Sequence, residues 1–241
     1  MKKKETMNFS GKLFIAVIAA TILFFSCDED ENTPAPQEFT YEFNSDTDGW
    51  TGGFADYPAG NDSFYEMLFE YTALPEPLDH TKGALKISGN NHSDDLFMFV
   101  KRKISGLQSS TVYHVEFTVE FASNVADDSA GVGGSPGEGV YIKAGASTTE
   151  PRSETDESDW YRMNIDKANQ AQSGADMIVI GDFSNDTDTN EYALKTVSNS
   201  STSFTVTSNE NGEAWLIVGT DSAFEATTTI YFNQITFVFS E

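Results

Sequence analysis

Val112-Tyr113-His114-Val115-Glu116-Phe117-Thr118-Val119-Glu120-Phe121 decides the fold class, because from Tyr113 onward every odd position is apolar and every even one polar. Successive side chains of a strand point to opposite faces, so this pattern predicts one face in a core and one in water. Phe39-Thr40-Tyr41-Glu42-Phe43 alternates in the same way. Phe64–Tyr71 sets Tyr65, Met67, Phe69 and Tyr71 against Glu66 and Glu70. Leu85–Ser88, Leu96–Ile104, Val140–Lys143, Met177–Ile180, Ser203–Thr207, Ala214–Val218 and Thr229–Phe239 read as further strands, several apolar on both faces as central strands are. About ten strands separated by Gly, Asn, Asp and Ser turns predict an all-β sandwich. Two segments interrupt the pattern: the glycine-rich Ala130–Gly139, and the polar Ala146–Asp176, in which Trp160 and Tyr161 stand and Asn164–Gln172 reads as a short helix stopped by Gly174. Loops of such length in a compact domain are uncommon and often functional.

The N-terminus has a different composition. Lys2, Lys3, Lys4 and Lys12 precede the apolar run Leu13–Phe25, and Ser26 stands before Cys27, the only cysteine. A basic start, a short apolar run and a small residue at the cut site predict a secretory signal over residues 1–26. The run is too short to cross roughly 30 Å of hydrocarbon. Leu23-Phe24-Phe25-Ser26-Cys27 resembles the lipobox of bacterial lipoproteins, with Phe24 where that family usually has an aliphatic residue. The resemblance implies lipidation at Cys27 and membrane attachment through that lipid alone. Residues 27–37, with the acidic block Asp28-Glu29-Asp30-Glu31 and two prolines, read as a flexible tether, and 38–241 as the folded domain. An acidic block after the lipidated cysteine resembles the surface-export signal of Bacteroidota lipoproteins and implies an outer-membrane, cell-surface address. An Asp directly after that cysteine is associated in other diderm bacteria with retention at the inner membrane, and both addresses stay open.

Removing residues 1–26 leaves 10 basic and 37 acidic residues, a formal charge of −27 over 215 residues. Such a surface repels phosphate backbones and argues against nucleic acid as a partner, while divalent cations and neutral glycans are compatible with it. With one cysteine, no intrachain disulfide can form. Three scattered histidines, His80, His92 and His114, give no metal-ligand spacing.

The opening Phe39–Phe43 followed by Asp48-Gly49-Trp50, the middle Ile104–Tyr113 and the closing Ile230–Ile235 resemble jelly-roll modules of the galactose-binding-like and carbohydrate-binding-module families. That resemblance implies a jelly-roll sandwich and a glycan as ligand. It also marks a departure: the last strand of those modules often carries an Asp that helps hold calcium, and Asn233 stands here.

Candidate sites follow from the residues themselves. Asn44-x-Asp46-x-Asp48-Gly49 has oxygen ligands at alternate positions and a glycine at the turn, as in the first half of a calcium loop, but lacks the closing glutamate. It reads either as a structural calcium site or as an ordinary strand-end turn. Glycan binding needs exposed rings beside hydrogen-bonding groups, which singles out Trp50, Tyr57, Trp160 and Tyr161 in predicted loops, whereas Trp215 lies in an apolar stretch and reads as core. Glu116-x-x-x-Glu120 resembles the acidic strand motif of laminarinase-type sandwich glycosidases, but Thr118 replaces the central acid. Strand geometry also separates the two α-carbons by about 13–14 Å, too far without leaning for a retaining pair. The expectation is therefore a non-catalytic binding protein whose partner is an extracellular glycan or an envelope protein. The competing readings are a structural or partner-binding surface lipoprotein and a glycan-active hydrolase.

Overall fold

The computed structural model describes residues 34–241, so the expected signal peptide, Cys27 and most of the tether lie outside the described residues. The strands in chain order are β1 (Gln37–Tyr41), β2 (Thr51–Ala55), β3 (Tyr57–Pro58), β4 (Leu68–Ala73), β5 (Gly83–Asn90), β6 (Leu96–Ser105), β7 (Val112–Ser123) and β8 (Val140–Ser147). They continue with β9 (Ser153–Thr155), β10 (Trp160–Met163), β11 (Met177–Asp182), β12 (Ala193–Ser198), β13 (Thr205–Thr207), β14 (Glu213–Ser222) and β15 (Thr227–Ser240).

The alternation over Val112–Phe121 becomes β7, with Tyr113, Val115, Phe117, Val119 and Phe121 all buried. Its longest ladder is with β15, where Phe117 stands opposite Phe237 and Val119 opposite Ile235. These strands centre a seven-stranded antiparallel sheet ordered β12-β7-β15-β5-β4, in which β1 extends the β5 edge of β15 and β13 extends the β12 edge of β7. The second sheet has the order β11-β8-β14-β6-β2. Ala214, Leu216 and Val218 of β14 join Met98, Val100, Ile142 and Ala144 in packing against Phe117, Phe121, Phe232 and Phe237 of the first sheet. The chain is an all-β sandwich, and its principal core lies between these two sheets.

The outer face of the five-stranded sheet is where the fold departs from a plain sandwich. Its outward row carries Phe97, Phe99 and Ile217, too apolar to be left wet. Ile165 and Met163 of the segment after β8 close over them, with Ala55 and Met177 completing a second small core. The covering segment is not structureless: β9 and β10 form a hairpin, and β10 pairs with β3 to make a third, three-stranded sheet.

Three expectations are corrected here. Asn164–Gln172 is not a helix: Ala168 and Gln170 have φ of 50° and 44°, and the Asp166 carboxylate accepts the Ala168 and Ala175 amides, a local bonding pattern that competes with helix. Phe64–Met67 is a turn with Glu66 at φ 50°, and the strand begins only at Leu68. Trp215 is not core, because its neighbours Ala214 and Leu216 take the inward positions and leave its ring outside, partly exposed, 5.3 Å from Lys101 Nζ.

Candidate functional site

The short β3–β10 ladder does the assembling. It sets Trp160 opposite Pro58 and Tyr161 opposite Tyr57, residues about a hundred positions apart in the chain. Two further backbone bonds lock the crossing, from the Asp56 amide to the Tyr161 carbonyl at 2.7 Å and from the Ala59 amide to the Asp159 carbonyl at 2.8 Å. Trp160 takes the opposite face of β10 from its neighbour Tyr161, and of the four expected ring residues Tyr57 and Tyr161 therefore meet ring to ring. Trp50 does not: it is 1% exposed and packed edge-on against Tyr41 (5.4 Å) and Phe43 (6.4 Å), because the turn after β1 folds it back under the first sheet.

Tyr161, Tyr57, Tyr65, His92 and Phe64 form a continuous ridge. Tyr161 lies 5.0 Å from Tyr57, Tyr57 lies 5.3 Å from Tyr65, and Tyr65 meets His92 edge-on at 5.5 Å. Phe64 then stacks on His92 at 4.0 Å and 24°, and it remains 59% exposed. On the opposite face of β10 the Arg162 guanidinium stands 4.7 Å from the Trp160 ring. Tyr57 and Tyr65 are buried and serve as the base, while Phe64 and His92 present surface to solvent. Polar groups flank the rings: Asp62 accepts the Tyr57 hydroxyl at 2.7 Å, and Asp156 accepts the Trp160 amide at 3.0 Å. Burial, reinforced by Asp62, raises the Tyr57 phenol above its ordinary range, so it stays a hydrogen-bond donor.

Beside the ridge, under the covering segment, lies a network of buried charge. Asp56 follows β2, Asp95 precedes β6 and Asp221 is on β14. Among the described residues these form the one group of three potential metal-ligating side chains with oxygens within 4.8 Å of one another. Arg162 Nη1 bonds Asp56 Oδ1 at 2.8 Å, and Lys167 Nζ lies 2.9 Å from both Asp56 Oδ2 and Asp221 Oδ2. Lys143 Nζ bonds Asp221 Oδ2 and the Lys167 carbonyl, each at 2.8 Å. Burial, then Asp56 and Asp221, push the Asp95 carboxyl up to about 7. The donor set does not fit a divalent ion, since two lysine ammoniums and a guanidinium already neutralise the three carboxylates at contact distance. An open cleft of about 370 Å³ reaches the network from the surface between Asp56, Asp95, Arg162 and Asn169.

The other expected residues go elsewhere. Asp46 Oδ1 accepts the Asp48 amide at 2.6 Å, Asp48 pairs with Arg102 at 2.9 Å, and the Asn44 amide group donates to Glu42 at 3.0 Å. Each of the three has a protein partner of its own in that turn. Glu116 and Glu120 lie on the outer face of the seven-stranded sheet, where Glu120 accepts a bond from Asn233 at the β15 irregularity. Sequence reasoning missed Phe64, Tyr65 and His92, having assigned the first two to a strand. It also missed Lys143 and Asp221, whose signal was present: Lys143 is the lone charge of β8, and Asp221 follows the uncharged run Ala214–Thr220 of β14.

No family model matches the chain, and no curated protein matches it. Among solved structures it is similar to the enzymatically active domain of bacteriophage CBA120 tailspike protein 4 (10% identity, 81% of this chain and 20% of that one, TM-score 0.36). It is also similar to a carbohydrate-binding module studied for specific mannan recognition (12% identity, 86% and 99%, TM-score 0.39). A third is a cleaved adhesin domain of Lys-gingipain from Porphyromonas gingivalis (10% identity, 83% and 97%, TM-score 0.37). The chain spans about a fifth of the tailspike's length. With TM-scores below 0.5, these likenesses carry no argument about function.

Proposed function

We propose that this chain is a non-catalytic carbohydrate-binding protein of the cell envelope, held to the outer membrane by a lipid on Cys27 and presenting its sandwich to an extracellular glycan. The observation that carries the binding reading is the ridge from Tyr161 to the Phe64–His92 stack, with the Trp160–Arg162 pair on the opposite face of β10 as a second partly exposed ring. A surface that leaves a phenylalanine 59% exposed and stacked on an exposed histidine has ring faces not consumed by its own core. Pyranose rings offer apolar C–H faces to such platforms and hydroxyls to the groups beside them, here Asp62 beside the ridge and Asp156 and the Arg162 guanidinium beside Trp160. The net negative charge points to a neutral glycan over an anionic one. The buried acids are tied to lysine or arginine, and Glu116 and Glu120 face away from the ridge, which supports the non-catalytic assignment.

The test is a glycan array with the full chain, followed by titration calorimetry on the best ligand with Phe64→Ala and Trp160→Ala. Both variants should weaken binding while the fold persists. A chain that binds no glycan, or binds one equally well without either ring, overturns the proposal. Co-purification of an envelope protein in that case would put a partner-binding lipoprotein in its place.

A further inference from the structure

Lys143 and Asp221 are oppositely charged, adjacent and both 0% exposed at the side chain, a state that costs far more desolvation than an ion pair on the surface. We propose that the Lys143 ε-amine and the Asp221 side-chain carboxyl condense to an intramolecular amide, a covalent tie between β8 and β14.

The geometry supplies every part of that reaction. Nucleophile and carboxyl are 2.8 Å apart, held on neighbouring strands whose ladder sets Lys143 against Gly219 and Tyr141 against Asp221. Asp221 Oδ2 accepts from Lys167 Nζ and from the Gln170 amide, both at 2.9 Å, so two fixed donors await the negative charge of a tetrahedral intermediate. Asp221 Oδ1 is buried with no hydrogen-bond partner, and carboxylate oxygens of Asp95 and Asp221 lie within 4.8 Å of one another. Asp95 is thus placed to deliver a proton to the oxygen that must leave.

The step balances without an outside reagent. One ammonium proton of Lys143 moves to the Asp221 carboxyl and, by way of Asp95, rests on Oδ1, giving a neutral amine and a neutral acid, the pair that a dry site favours over separated ions. The amine lone pair forms the N–C bond at Cγ, and negative charge gathers on Oδ2. The nitrogen then gives its second proton to Asp95, Asp95 passes a proton to the Oδ1 hydroxyl, the Cγ–Oδ1 bond breaks and one water departs. Asp95 ends as it began. The choice of lysine follows from the neighbours: Lys167 contacts two carboxylates, which outweigh its burial and hold it above the ordinary lysine range as an ammonium. Lys143 contacts one, and burial leaves it below that range.

Peptide mass mapping tests this regardless of how the N-terminus is processed. Tryptic digestion of the denatured full chain should yield one branched species joining residues 104–152, uncut at Lys143, to residues 196–241. Its mass should be about 18 Da, one water, below the sum of the two peptides. Lys143→Arg should abolish the branch. Asp95→Asn should leave most of the chain unlinked while its far-ultraviolet circular dichroism matches the parent. Separate peptides 104–143 and 196–241 from the unmutated chain would overturn the proposal, as would a branch mapping to Lys167. Full linkage in Asp95→Asn would overturn the part assigned to Asp95.

Discussion

Truncating two tryptophans should separate site from core. Trp160 has one specific side-chain partner, the Arg162 guanidinium at 4.7 Å, and its pairing with Pro58 is through backbone that an alanine keeps. An exposed cation–π contact contributes about 0.5–1 kcal/mol, so with some lost packing Trp160→Ala should cost roughly 1 kcal/mol. For a domain of this size that lowers Tm by about 2–4 °C. Trp50 is 1% exposed between Tyr41 and Phe43, and removing it should cost about 3–5 kcal/mol, a Tm drop on the order of 10 °C. Glycan affinity should show the reverse order. One stacked ring contributes roughly 1–2 kcal/mol, so Trp160→Ala should weaken binding about 5- to 30-fold at a temperature where both proteins are folded. Urea unfolding and calorimetry on the same preparations read both quantities. If Trp160→Ala loses several kcal/mol of stability, or binds as tightly as the parent, the Trp160 ring is packing and not a platform.

Four other outcomes follow from single residues. Burial alone would raise Asp182, but Lys195 and Ser184 overcome it and hold the carboxyl below its ordinary range. That stability is present above the unfolded Asp range and lost as pH falls through the folded value, so Lys195→Met should flatten the acid limb of a Tm–pH curve, and an unchanged limb would refute the pairing. Gly145→Ala would put a Cβ 1.9 Å from the Asp176 carbonyl oxygen between β8 and β11, and should cost about 2–3 kcal/mol in a denaturant melt. Millimolar calcium should leave Tm unchanged, since Asp46 and Asp48 already serve the Asp48 amide and Arg102; a rise that Asp46→Ala abolishes would establish an ion site instead. Cys27→Ala should eliminate fatty-acid labelling and release the protein from the membrane fraction, and persistent labelling would refute the lipid anchor.

The fold was legible where structure is local. Alternation in β7 and β15 needs only neighbouring residues, and the buried set Tyr113, Val115, Phe117, Val119 and Phe121 follows from it directly. Trp215 shows the limit: an apolar stretch says that a strand is central, but not which alternate residues face the principal core, and here its outward row is only half covered. The loop segments hid more. Phe64–Met67 alternates convincingly yet turns, because the exposed Phe64 finds its partner in His92, and no period encodes that contact.

The site itself depends on pairings that no window of sequence contains. Trp160 and Tyr161 stood out because a polar loop has little use for two large rings, and that argument needed no partner. What makes Tyr161 part of a surface is the meeting of β10 with β3, which brings up Tyr57 and through it Tyr65, Phe64 and His92, while Trp160 takes the other face with Arg162. The same meeting places Asp56 beside Arg162 and Lys167, so the segment that carries the ridge is also the one anchored by buried charge on the sheet beneath. Removing either anchor should loosen the rings together. Arg162→Met, which keeps the length and loses the charge, should therefore reduce glycan affinity by more than the loss of one hydrogen-bonding side chain, at least 10-fold on the estimate of about 1.5–3 kcal/mol for a charged bond. Hydrogen exchange read on the same variant should show faster opening across residues 157–169 than in the parent. Unchanged exchange there would show that the ridge holds its shape without the network, and that ring stacking alone positions it.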